Sequence, residues 1–192
     1  MTDFMFFLQL GWEHIISADA LDHQLFVIAL IVAYGLKNPG KILILITAFT
    51  IGHSITLALS VFDLVRIDSA WVEFLIPLTI FLTALDNVLM YRNKGTLMKM
   101  NYVLALIFGL IHGLGFANTA RMMLAKEQSI AIPLLGFNIG LEVGQIVVVA
   151  VFMLISYVVL RFLKVPEKYW TIGISVLIAL FSLKMVIERI PF

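Results

Sequence analysis

Four histidines, His14, His23, His53 and His112, are the side chains best suited to chemistry, and each lies inside or at the edge of a long apolar run. An imidazole in such surroundings can ligate a transition metal, relay a proton or make an interhelical hydrogen bond. Carboxylates stand near them. The stretch "DALDHQLF" sets Asp19 and Asp22 beside His23, and "FNIGLEVGQ" carries Glu142 between Asn138 and Gln145. The chain has no cysteine, so disulfides and thiolate ligands are excluded. A metal would be held by imidazole, carboxylate, amide or hydroxyl groups.

Helical spacing sorts these residues into faces. Asp19 lies at i−4 to His23 and shares its face, with Asp22 turned about 100° away. Thr50 lies at i−3 to His53, with Ser54 beside it, and Asn138, Glu142 and Gln145 fall at i, i+4 and i+7 as one polar stripe. Asp86 and Asn87 continue a face begun by Thr79 and Thr83. They either line an exit path, or Asp86 is a helix-end carboxylate near the headgroups or paired with Arg92.

The elements that position these groups are membrane spans. Of 192 residues, 62% are hydrophobic, well above the roughly 45–50% apolar share of a soluble domain; 13% are charged, and the mean hydropathy is +1.07. A span needs about 20 apolar residues. Charged punctuation predicts six, at 12–36, 41–62, 71–91, 101–121, 131–163 and 170–188. The expectation is an all-α integral membrane protein, a six-helix bundle in one transmembrane domain across 1–192. The fifth run is roughly 50 Å long if helical and must tilt, break near its glycines or protrude. A net charge of +1 without a basic run argues against nucleic-acid binding. The partner is the lipid bilayer.

Lysine and arginine number eight in the odd-numbered loops and five elsewhere. By the positive-inside rule both termini face away from the cytoplasm. His23, His53, His112 and Glu142 each sit 11 or 12 residues into their spans, roughly 16–18 Å from a membrane face. The expectation is therefore a polar site near the bilayer midplane, where transporters place theirs.

Gly136, Gly140 and Gly144 recur every four residues, as do Gly109 and Gly113. Such stripes let helices approach closely. They are expected to join the fourth and fifth spans, bringing His112 toward Glu142, or to serve a homo-oligomer. "HGLGF" is a place where the helix beside His112 could loosen and free carbonyls for a cation.

Taken in order, "GWEHIISADALDHQLFVIAL", "TAFTIGHSITLAL", "VEFLIPLTIF", "FGLIHGLGFA" and "FNIGLEVGQ" give a chain that resembles the HupE/UreJ family, regarded as nickel or cobalt permeases associated with hydrogenase and urease systems. The resemblance implies a six- or seven-span protein of a bacterial cytoplasmic membrane. It directs attention to His14, Asp22, His23, His53, His112 and Glu142. Better-known members space the first histidine and the Asp-His pair by five residues. Here seven residues separate His14 from Asp22, so whether His14 joins the site of His23 stays open.

Three activities fit these residues. The first is a divalent-metal permease with a transient site of His23, Asp22, His53, His112 and Glu142, entered near His14 and left past Asp86, with Asp19 supporting His23. Its cargo would be Ni²⁺, Co²⁺, Zn²⁺, Mn²⁺ or Fe²⁺. The second is an intramembrane zinc-type hydrolase using the same cluster, with Glu142 or Asp22 as general base. The third is a haem or proton-relay protein. The resemblance favours transport.

Overall fold

The computed structural model describes residues 3–36, 38–89, 91, 98–124 and 130–191, without the side chains of residues 3, 19, 98–101 and 124. Seven α-helices make up the described chain: α1 (Asp3–Ile16), α2 (Leu21–Tyr34), α3 (Pro39–Val61), α4 (Ser69–Leu89), α5 (Met98–Leu124), α6 (Ala131–Arg161) and α7 (Glu167–Glu188). Helices α3 to α7 are each long and apolar enough to cross a membrane. The pair α1 and α2 passes the same test as one span bent by 70°. This is an all-helical, multi-pass membrane protein, as the apolar runs predict.

The first span departs most from expectation. In place of one helix over 12–36, α1 begins near the N-terminus and stops at Ile16, and a short 3-10 turn, Ala18–Ala20, leads into α2. No proline or glycine makes this break. Gln24 does much of the holding: its amide donates to the carbonyl of Ile15 at 2.8 Å and to that of Ser17 at 3.0 Å. Carbonyls left without partners where a helix ends in an apolar setting are costly, and this one side chain satisfies two. A consequence is that Asp19, in the turn, does not share a helix with His23. Its side chain lies outside the described residues.

Glycines set how the helices pair. A Cβ at Gly52 would strike the Leu106 carbonyl, one at Gly109 the Phe49 carbonyl, and one at Gly113 the His53 backbone. Helix α3 therefore lies directly on α5, running parallel to it. A Cβ at Gly11 would strike the Phe137 carbonyl, and one at Gly140 the Leu8 carbonyl. Helix α1 is thus laid parallel on the first half of α6. The stripes do bring helices together, but the partners differ from those expected: α5 pairs with α3 and α6 with α1. Both stripes are covered by this chain's own helices, and the expected approach of His112 to Glu142 through them does not occur.

Helix α6 runs unbroken for 31 residues, about 46 Å, so its glycines do not interrupt it. Helix α5 is likewise continuous through His112, Gly113 and Gly115, and "HGLGF" loosens nothing. Helix α4 contains Pro77, which cannot donate a hydrogen bond to the carbonyl of Glu73. Helices α4 and α7 pack together, with Ile178 of α7 in one buried cluster with Val72, Ile76 and Ile80 of α4. Between α3 and α4, Asp63 is bonded to Arg66 and lies 3.6 Å from Arg121 of α5. The Arg66 hydrogen bond holds this exposed carboxyl below its ordinary value.

Candidate metal site

The break in the first span brings the histidines together. His14 ends α1 and His23 sits in the first turn of α2, so the two rings meet across the bend with centroids 4.8 Å apart. The ring of His53, from α3, lies 6.0 Å from each of them. One ligand nitrogen from each of these three imidazoles can be chosen so that all lie within 4.8 Å of one another. The ring of His112, from α5, stands 5.0 Å from that of His23. Thus His14 and His23, eight intervening residues notwithstanding, face one cluster.

The nitrogens are poorly satisfied for so buried a place. His23 is 5% exposed and His53 and His112 are 0% exposed. Among the described residues, Nε2 of His14, His23 and His112 and both ring nitrogens of His53 lack a hydrogen-bond partner. Buried polar atoms are normally paired, and each one left alone costs about 1–3 kcal/mol. Five such atoms on four facing rings are donors that could hold a metal ion.

Two of the rings are also oriented. Nδ1 of His23 lies 2.9 Å from Oδ1 of Asp22, and Nδ1 of His112 lies 2.8 Å from the carbonyl of Phe108. Each acceptor takes the Nδ1 proton, which leaves the lone pair on Nε2, the nitrogen without a partner in both rings. Asp22 Oδ1 further accepts the backbone N–H of His23 at 2.8 Å. Asp22 accordingly stands behind His23. Asp22 is thus the carboxylate that contacts His23 among the described side chains.

Aromatic rings wall the cluster. His14 lies 4.5 Å from Phe116, Phe116 stacks on Phe137 at 4.9 Å, and Phe137 stacks on His53 at 6.1 Å. A cavity of about 260 Å³ reaches the imidazoles from one end of the bundle; its lining includes His14, Asp22, His23 and His112, with Glu73 and Arg189. Glu73 reads as interfacial and Arg189 as a loop charge from sequence alone. Their meeting depends on α4 starting where α7 ends, which no local pattern encodes.

The remaining polar residues lie elsewhere. Glu142 accepts a hydrogen bond from Thr47 at 2.7 Å and is not among the residues whose ligand atoms converge. Thr50 donates to Gln145 at 2.9 Å, not to His53, and Ser54 donates to the Thr50 carbonyl. Gln145 is fully buried, and its Nε2, like Oδ1 of Asn138, has no partner among the described residues. The stripe along α6 therefore faces α3 as a second polar seam. Asp86 lines a different cavity, of about 320 Å³, together with Tyr34, Thr83, Asn87 and Phe108.

A multi-pass helical membrane protein with a buried cluster of unsatisfied imidazoles is the class defined by this fold and site. The chain belongs to the family described as HupE / UreJ protein, which it matches over residues 1–189, in agreement with the resemblance read from its motifs. That family is known for nickel and cobalt transport, which at the level of the family argues for a transporter rather than an enzyme. Comparisons with curated proteins and with solved structures return no match.

Proposed function

We propose that this protein is a permease for a divalent transition-metal ion of the nickel or cobalt type, and that His14, His23 and His53 receive the ion with His112 beside them. The observation that carries the reading is the convergence of buried imidazole nitrogens without hydrogen-bond partners. A donor set rich in imidazole and free of thiolate suits Ni²⁺, Co²⁺ or Zn²⁺ better than Mg²⁺, Ca²⁺ or Mn²⁺, which prefer oxygen.

The spacing also suits release. Two nitrogens on opposite sides of one ion, each at about 2.0–2.1 Å, stand about 4.2 Å apart at most. The three donors lie within 4.8 Å of one another, close to that limit, so a small shift of rings or helices opens or closes the shell. A site opened by so small a movement can let its ion go. Asp22 keeps His23 in the ligating tautomer, and Asp86, in the second cavity, marks the side of exit. The host is a bacterial cytoplasmic membrane. The charge bias of the loops sets the end bearing the termini, and with it the cavity of Glu73 and Arg189, away from the cytoplasm.

X-ray absorption on the purified protein loaded with Ni²⁺ or Co²⁺ tests the ligand set. The expected spectrum has the outer-shell scattering of at least three imidazoles. A shell of oxygen atoms alone would remove the histidines from the site.

A further inference from the structure

Two cavities flank the histidine cluster without sharing a lining residue. One holds His14, Asp22, His23 and His112 and reaches the end of the bundle where α4 begins. The other lies between α2, α4 and α5 toward the opposite end and holds Ala33, Thr83, Asp86 and Phe108. Between them lies a buried apolar cluster that includes Phe26, Phe49, Ile76 and Ile80, with Phe108 packed against it. Phe26 lies 5.0 Å from Phe49 and 5.6 Å from Phe108, ring centre to ring centre. On its other side the layer touches the imidazoles: His112 lies 5.4 Å from Phe26 and 5.0 Å from Phe49, and His23 lies 6.1 Å from Phe49.

The arrangement follows from chain direction. Phe26 comes three residues after His23 in α2, while Phe49 and Phe108 come four residues before His53 in α3 and His112 in α5. Helix α2 runs opposite to α3 and α5 in a bundle of alternating spans, so all three offsets point to the same end. Each phenylalanine is one helical turn from a histidine on the same face. A layer of imidazoles lies directly on a layer of phenyl rings, and Phe26 and Phe49 are no more than 1% exposed.

We infer that Phe26, Phe49 and Phe108 form the inner gate of the permeation path, closed here between the histidine site and the cavity of Asp86. The inference rests on the permease reading and names the residues that would hold the ion back. A hydrated cation does not enter an apolar constriction of this kind, which gates by excluding water. Phe108 connects the layers, because its carbonyl accepts the Nδ1 proton of His112. Movement of His112 toward an ion on its Nε2 pulls on the backbone that carries the Phe108 ring.

The absence of cysteine makes the gate testable with single-cysteine reporters. Ala20→Cys reports on the first cavity and Thr83→Cys on the second. In sealed membrane vesicles, a charged, membrane-impermeant thiol reagent is expected to reach Ala20→Cys from one side only and Thr83→Cys from the other. Adding Phe108→Ala is expected to let the reagent reach Thr83→Cys from the side of Ala20, with a rate gain on the order of a hundredfold, the equivalent of the cost of a charge in an apolar layer. Phe26→Ala is an independent second variant, and a monodisperse elution profile certifies folding of each. Labelling of Thr83→Cys from the Ala20 side in the unaltered gate would overturn the inference. So would an unchanged rate in both folded gate variants. Labelling needs no metal, so a protein that labels as expected but binds no Ni²⁺ or Co²⁺ would overturn the permease reading and leave the barrier standing.

Discussion

Replacing His53 by phenylalanine is expected to weaken Ni²⁺ or Co²⁺ binding by on the order of a hundredfold or more while leaving the fold intact. The figure is a floor: losing a group that merely orients a ligand costs 10–100-fold in affinity, and His53 is itself proposed as a ligand. The side chain is fully buried, and both ring nitrogens lack partners among the described residues. The substitution therefore removes no hydrogen bond from the described structure. Phenylalanine retains a ring to stack on Phe137, which lies at 6.1 Å with planes inclined by 20°. Isothermal titration measures the affinity, and a melting curve in the same detergent checks the fold. Wild-type affinity in a folded His53→Phe protein would take α3 out of the site.

Asp22→Asn comes next in size, with an expected loss of 10–100-fold in affinity. The carboxylate can only accept, and by taking the Nδ1 proton of His23 it leaves Nε2 free to bind. An asparagine amide at the same place can donate instead, which puts the proton on Nε2 and blocks that ligand. Asp22→Glu, which keeps an acceptor-only group, is expected to recover part of the loss. A purely structural Asp22 would give equal losses for both substitutions, and a coordinating Asp22 would add an oxygen to the absorption spectrum of the loaded wild type.

Much of this was legible in the sequence, for physical reasons that can be named. A bilayer demands long apolar runs, so the class of protein and most span boundaries follow from composition and length. Ionisable groups are costly there, so His23, His53 and His112 stood out against their runs. Register between helices is not encoded in the period of any one helix. Hence the glycine stripes announced close packing without naming partners, and Glu142 was expected beside His112 when it bonds Thr47. The break at Ser17–Ala20 was illegible for another reason: it carries no proline or glycine, and it depends on Gln24, a polar residue in "DALDHQLF" whose reach to Ile15 and Ser17 is tertiary. The phenylalanine layer did leave a signal, one ring a helical turn from each of three histidines. Among 15 phenylalanines it does not stand out until the directions of α2, α3 and α5 are known.

Passage of a divalent cation across the membrane through the imidazole cluster is read out by uptake of Ni²⁺ and Co²⁺ into proteoliposomes. Vesicles containing the wild-type protein are predicted to accumulate one or both ions above the level of protein-free vesicles, and vesicles containing His23→Ala are predicted to match the protein-free ones. Wild-type vesicles that take up no more of either ion than empty ones, or His23→Ala vesicles that take up as much as wild type, would contradict it.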